Sequence, residues 1–314
     1  MNKDSKVFVA GARGLVGAAI CRALAERGFA RVLAPSRSAI DLRDRAAVDR
    51  FFSAERPDYV FMAAAKVGGI VANDSYPADF IRDNLEIQTN VIDAAYRAGT
   101  RKLCFLGSSC IYPRLAPQPL QESSLLTGPL EPTNQWYAVA KIAGIKMCQA
   151  YALQHGFKAI SVMPTNLYGP GDNFDLQTSH VLPALLRKFH AARETGAKDV
   201  TVWGSGTPRR EFLFVDDLAD ALCFLMERYD SAEIINVGWG EDVTIAELAE
   251  LIAEVVGFRG ALVFDRSKPD GTPRKLLDVG KIAALGWQPR TRLRDGIRKT
   301  YDWYLTDVKR ARAS

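Results

Sequence analysis

Ser108, Tyr137 and Lys141 have the residue types and spacing to move a hydride onto or off a carbonyl carbon, and Cys110 adds a group that can pull a proton off carbon. Tyr137 and Lys141 are four apart in a helical stretch, so they share one face. A tyrosine near pKa 10 is a poor acid–base at neutral pH. A neighbouring ammonium is expected to stabilise its phenolate and bring that pKa toward a working range. Ser108 follows an apolar run, Lys102-Leu-Cys-Phe-Leu106, and is placed to polarise a carbonyl. Cys110 lies two residues further on. A free thiol has a pKa of about 8.5, and positive charge nearby enriches the thiolate. Hydride transfer and proton abstraction are therefore expected in one site.

Most free cysteines are small core residues, and that reading suits Cys21, Cys104, Cys148 and Cys223. Among the three histidines, His155 sits at a helix end and His190 among charged neighbours. His180 opens a helix after Asp172-Asn-Phe-Asp-Leu-Gln-Thr-Ser179, and an imidazole near pKa 6.5 suits a proton donor.

The elements that must hold these groups alternate between strand and helix. Strands are expected at 6–10, 31–34, 59–64, 102–106 and 159–163. Helices are expected at 18–27, 44–54, 83–97 and 133–155. This is the pattern of a Rossmann-type α/β fold, a doubly wound parallel sheet with helices on both faces. After Asn166 the alternation weakens. A turn cluster at 168–172, a helix at 181–195 and a strand at 200–203 follow. Segments 212–215, 218–228 and 234–237 read as a return to the sheet. A helix at 244–256 and an irregular polar stretch at 265–272 come next. The expected domains are 1–168 with 212–240 for a dinucleotide, and 169–211 with 241–314 as a smaller substrate-binding α/β domain. The substrate site belongs between them.

Gly11, Gly14 and Gly17 stand between the first strand and helix. Glycines there let the backbone turn tightly and approach a pyrophosphate, whose charge the helix N-terminus favours. Dinucleotide binding is therefore expected at Gly11, Ala12, Arg13, Gly14, Leu15, Val16 and Gly17. NAD binders usually carry an acid at the end of the second strand. Here Ala34-Pro35-Ser36-Arg37 offers an arginine instead. Arg13 and Arg37 would fork onto a 2′-phosphate, which favours NADPH. Asp41 and Leu42 are candidates for the adenine edge. Leu106, Gly107, Ser108 and Ser109 at the fourth strand's end, with Pro164, Thr165, Asn166 and Leu167 at the fifth's, would complete the nicotinamide pocket beside Lys141 and His180.

Length and composition agree. The 314 residues are 48% hydrophobic and 25% charged, with a net charge of +5. That charge is too small to argue for nucleic acid and fits an anionic small substrate. No apolar run approaches the roughly 18 residues of a membrane span. The odd cysteine count without C-x-x-C excludes a disulfide framework and a zinc site. A cytoplasmic protein without metal is expected.

The glycine turn and Tyr-x-x-x-Lys mark the extended short-chain dehydrogenases/reductases. More specific segments are Gly107-Ser-Ser-Cys-Ile-Tyr-Pro113, Ser179-His-Val181, Arg210-Glu-Phe212 and Lys268-Pro-Asp-Gly-Thr-Pro-Arg-Lys-Leu-Leu-Asp278. On these the chain resembles the GDP-L-fucose synthase family, the GDP-4-keto-6-deoxy-D-mannose epimerase/reductases. Gln135-Trp136 departs from the Glu-Pro-like pair expected there, without touching the chemical groups. The resemblance implies a GDP-sugar substrate, Cys110 as the base and His180 as the opposing acid. It selects Lys188, Trp203, Arg210 and Asp278 as substrate contacts and leaves the remaining basic residues to a solvated face. It also implies a homodimer through 83–97 and 133–155. Two rival readings are a related epimerase/reductase acting on a dideoxy or heptose 4-keto GDP-sugar, and a non-catalytic NADP-sensing protein, which would not need Ser108, Cys110, Tyr137 and Lys141 together.

Overall fold

A computed structural model describes residues 1–176, 178–268 and 270–313. Gln177, in the stretch before His180, and Pro269, in the 268–278 motif, lie outside the described residues. The first strand, β1 (Val7–Ala10), is buried along its whole length. Such an uninterrupted apolar run is what a strand covered on both faces requires. It leads through the glycine turn into α1 (Leu15–Glu26), and β2 (Val32–Leu33) and α2 (Arg45–Glu55) follow. Asp44 caps α2 by accepting from Ala47 N at 3.1 Å, which meets one of the helix's free N–H groups. Next come β3 (Tyr59–Met62), the short α3 (Ile70–Ser75), α4 (Pro77–Arg97), β4 (Lys102–Leu106), α5 (Gln135–His155) and β5 (Ala159–Pro164).

α4 starts six residues before the expected position 83. Proline at its first turn is pre-set for a helix and lacks only an N–H that would be free anyway. Polar residues in its first two turns, Asp79 and Arg82, hide the periodicity on which the expectation rested.

The main sheet has six parallel strands. They comprise the five above and β10 (Ile235–Val237), in the order β10-β5-β4-β3-β1-β2. The chain winds outward from β1 to β2, then crosses to β3 on the other side. Ligands of such sheets bind at the carboxyl edge beside that reversal. One apolar cluster joins α1 to α7 (Val215–Arg228), and a second joins α2, α4 and α5 on the opposite face. Close packing holds α5 in place. A Cβ on Gly144 would fall 2.3 Å from the Phe105 ring, and buried Gln88 donates to Ala140 O at 2.6 Å.

Most of the remaining elements surround a third apolar cluster of Tyr168, Leu186, Phe189, Leu248, Ile252 and Ile297, while Ile282 packs into the first. These remaining elements are β6 (Asn166–Tyr168), α6 (Val181–Thr195), β7 (Asp199–Trp203), β8 (Arg209–Arg210), β9 (Phe212–Phe214), β11 (Val243–Thr244), α8 (Ile245–Val256), β12 (Ala261–Asp265), β13 (Arg274–Lys275), α9 (Gly280–Ala284) and α10 (Leu293–Ala313). One expectation is corrected here. Only β10 returns to the main sheet, while β9 pairs in parallel with β6. β10 already occupies the edge beside β5. The alternation of β9 then joins two cores: Leu213 faces the main one, and Phe212 and Phe214 face the third. Among the described residues no helix is long and apolar enough to cross a membrane.

Candidate active site

A cavity of about 1830 Å³ runs along the carboxyl edge of the main sheet and on between α6, β7 and β13. The glycine turn forms one end. Gly11 has φ +82°, and a Cβ there would lie 2.8 Å from Ala64 Cα. On Gly17 a Cβ would lie 2.1 Å from Gly11 O, so no larger residue fits either position. Gly14 is the N-cap of α1 and gives it no side-chain bond. The free N–H groups of that first turn, with Arg13 and Arg37 on the same cavity wall, fit a phosphorylated dinucleotide. Among the described residues neither arginine makes a direct ion pair with a carboxylate, and the Arg37 charge reaches Asp41 only at a distance. Asp41 and Leu42 also line this end. Asp41 is taken up by Arg43, whose hydrogen bonds hold its carboxyl down at about 2.

The reductase residues gather where β4 and β5 end. Gly107 leaves no room for a side chain, since a Cβ would lie 2.3 Å from Met163 Cε. Ser108 then opens a single tight turn, Ser109–Ile111, and its Oγ accepts from Cys110 N at 3.2 Å. That turn brings Ser108 and Cys110 onto one wall. Lys141, 3% exposed, donates to Leu106 O at 2.7 Å. Its Nζ lies 5.7 Å from the centre of the Tyr137 ring.

The expected effect of Lys141 on Tyr137 is corrected by this geometry. Burial pushes the Tyr137 hydroxyl above its ordinary value, the Cys110 charge adds to this, and the Ser108 hydroxyl only partly offsets them. Burial also lowers Lys141 to about 8. The lysine turns one donor to Leu106 O, and desolvation dominates the phenol. Tyr137 is therefore a neutral O–H donor, the form that protonating a reduced carbonyl requires.

Cys110 is bonded by two groups that reach it from elsewhere. Lys275 Nζ stands 3.2 Å and Asn134 Nδ2 3.4 Å from its sulfur. Burial by itself would raise the thiol; the Lys275 charge, the bonds from Ser108 and Lys275, and the Arg210 charge outweigh it. The thiol thus lies below its ordinary value. His180 is the N-cap of α6, makes no capping bond with its side chain and faces the cavity. Burial, then the Lys275 charge, lower its imidazole below the usual value. In the free protein this disfavours the imidazolium form of His180.

Lys188, Trp203 and Arg210 line the far end. Lys188 Nζ stands 4.9 Å and Lys268 Nζ 5.5 Å from the Trp203 ring centre, and Trp203 is 54% exposed. An exposed aromatic flanked by cations suits a base with its phosphates. Asp278 does not belong here. Its carboxylate accepts from Gly280 N at 2.8 Å at the start of α9, away from the cavity wall. Asp270 lines the cavity instead, accepting from Ser205 N at 2.6 Å and Ser205 Oγ at 2.8 Å. One lysine assigned to a solvated face, Lys275, turns inward onto the cavity wall, while Lys268 stays exposed beside Trp203. Arg209 and Arg274 do not, since both pair with Asp242.

Sequence reasoning also passed over Asp172. It lines the cavity, and burial raises its carboxyl to about 7. Its Oδ2 has no partner among the described residues. The Asp172-Asn-Phe174 motif was visible, but nothing in it signalled a buried carboxyl.

The parallel sheet, its glycine turn and the Ser–Tyr–Lys set at its carboxyl edge define an extended short-chain dehydrogenase/reductase, a dinucleotide-dependent enzyme. Residues 7–238 match the NAD dependent epimerase/dehydratase family. GDP-L-fucose synthase 1 of Arabidopsis thaliana is 63% identical over 98% of this chain and 95% of its own length. The chain belongs to that family, alongside the GDP-L-fucose synthases. Among solved structures, a GDP-6-OMe-4-keto-L-xylo-heptose reductase from C. jejuni superposes with TM-score 0.93 at 38% identity, covering 98% of this chain and 99% of that one. A GDP-L-fucose synthetase from Naegleria fowleri bound to NADP gives 0.91 at 31% identity, covering 98% and 96%.

Proposed function

We propose that this enzyme converts GDP-4-keto-6-deoxy-D-mannose to GDP-L-fucose by epimerising C3 and C5 and then reducing C4. One observation carries the reading: a charge-supported thiol, Cys110, shares a cavity wall with the reductase set Ser108, Tyr137 and Lys141. A plain reductase has no use for it. The 63% identity to a plant GDP-L-fucose synthase favours fucose over the heptose alternative.

The C4 ketone acidifies the hydrogens on C3 and C5. Cys110 takes each proton in turn from one face, and Ser108 and Tyr137 bond the enolate oxygen as charge builds there. His180 returns a proton from the other face. The diphosphate of the substrate brings negative potential that favours its imidazolium form. Gly11 to Gly17, Arg13, Arg37 and Pro164 to Leu167 would hold NADPH, which would supply the hydride for C4. Tyr137 gives its proton to the C4 oxygen, and Lys141 would hold the nicotinamide ribose. Arg210 and Lys188 bind the diphosphate, and Trp203 packs on the nucleotide. The division of the chain into 1–168 with 212–240 and 169–211 with 241–314 belongs to this reading. So do a homodimer through α4 and α5 and a place in the cytoplasm.

The test supplies NADPH with the 4-keto sugar and follows absorbance and deuterium uptake from D2O at C3 and C5. Absence of both in the wild-type enzyme overturns the reading.

A further inference from the structure

The sulfur of Cys110 is reached by two groups from separate parts of the fold, beside the Ser108 hydroxyl two residues before it. Asn134, which donates from Nδ2, is the N-cap of α5, and Lys275, which donates from Nζ, comes from β13 of the small three-stranded sheet. In that sheet Lys275 pairs with Arg210 in register. We propose that Lys275 is the positioning residue that makes Cys110 a base: its ammonium holds the sulfur as thiolate, while Asn134 fixes the direction in which the free lone pair points.

The surroundings favour this over a surface role. Among the described residues no carboxylate takes Lys275, while the arginine beside it, Arg274, is paired to Asp242. The other charged or titratable groups around the thiol are Arg210 from β8, Tyr137 from α5, and Arg114 with Glu131 from the loop before α5. Glu131 is engaged by Arg114 at 3.1 Å and by Thr272. The local field at the sulfur is therefore positive, and an ion pair at 3.2 Å favours the charged form of both members. The same ammonium acts on His180. One cation thus favours the thiolate on one side and neutral imidazole on the other.

The proposed proton step rests on the epimerase reading; the thiolate does not. In that step a C–H bond breaks, its proton goes to Sγ, its electron pair becomes the enolate, and Lys275 keeps all its protons. The base is complete only when β13 is docked against the end of β4.

The experiment first needs no substrate. Iodoacetamide alkylation of Cys110 is followed by peptide mass from pH 5 to 10. Wild type and Lys275→Arg should inflect below an ordinary thiol. Lys275→Met should inflect at least one unit higher, with alkylation at pH 7 slowed about tenfold or more. Nitrogen-15 NMR of His180 should show its titration moving up in the same variant, which a merely structural change would not produce. Should Lys275→Met fold poorly, Lys275→Gln serves. An unchanged inflection in a variant that keeps its melting temperature and NADP binding overturns the proposal. With the 4-keto GDP-sugar, Lys275→Met should slow deuterium uptake at pH 7 and recover toward wild type at pH 9. If the alkylation shift appears and the wild-type enzyme shows no uptake, the epimerase reading fails while the Lys275 assignment stands.

Discussion

The ammonium of Lys141 donates to the carbonyl oxygen of Leu106 at 2.7 Å, tying α5 to the last residue of β4. Because it is buried, this lysine loses its proton at about pH 8. It is charged below that value and neutral above it. Reduction at C4 should therefore fall along an alkaline limb with an apparent pKa near 8. Lys141→Arg should remove that limb from the accessible range, since a guanidinium stays charged. A profile of kcat from pH 6 to 10 measures both.

Cys110→Ser should cut deuterium incorporation at C3 and C5 by about a hundredfold or more, the scale of a lost general base. NADP binding should be unchanged, because the serine keeps the turn after β4. Mass spectrometry of the recovered sugar nucleotide and a fluorescence titration with NADPH give the two readings.

Arg37→Ala should weaken NADPH binding about tenfold to a hundredfold, the worth of a charge-assisted contact to phosphate. NADH binding should move little, since it lacks the 2′-phosphate. Arg13→Ala should act in the same direction. Titration of each variant with both nucleotides separates the effects.

Lys102 is buried, and its Nζ donates to the carbonyl oxygens of Leu225, Met226 and Tyr229 and to Asp230. It thereby closes the C-terminal end of α7, where carbonyls lack helical partners. Lys102→Met should leave those carbonyls unpaired and destabilise the fold by about 2–4 kcal/mol. Thermal denaturation should show a melting temperature lower by several degrees, with turnover at 25 °C close to normal.

Asp172 has its carboxyl raised to about 7 by burial. The folded state therefore binds a proton that the unfolded chain has released above about pH 4. Stability attributable to this group falls as pH rises from 4 through 7. Asp172→Asn should raise the melting temperature, and by more at pH 8 than at pH 5. An equal shift at both values would remove the carboxyl from the explanation.

Most of the alternating strands and helices up to Pro164 were legible because parallel strands buried on both faces are runs of apolar residues, and α1, α4 and α5 end at or next to Gly28, Gly99 and Gly156; the short α3 was passed over. β4 and α6 stand at the positions read from sequence. Past Asn166 several strands shorten to two residues, as in β8, β11 and β13, although β7 and β12 keep five. Periodicity has nothing to act on at that length. α10 was passed over because its apolar positions, Leu293, Ile297, Tyr301 and Tyr304, are scattered among charges.

The sequence by itself determined the parallel sheet, the glycine turn and the identity of the groups Ser108, Cys110, Tyr137 and Lys141. Those follow from local chemistry: turn backbones, helical spacing and side-chain type. Only the tertiary structure decided their protonation and their partners. It set Lys275 against Cys110, 165 positions away in the chain. It replaced Asp278 with Asp270 at the cavity wall, and it raised Tyr137 where the neighbouring lysine alone would have lowered it. Burial and charge at a site are sums over everything that packs around it, and that sum does not exist until the distant segments meet.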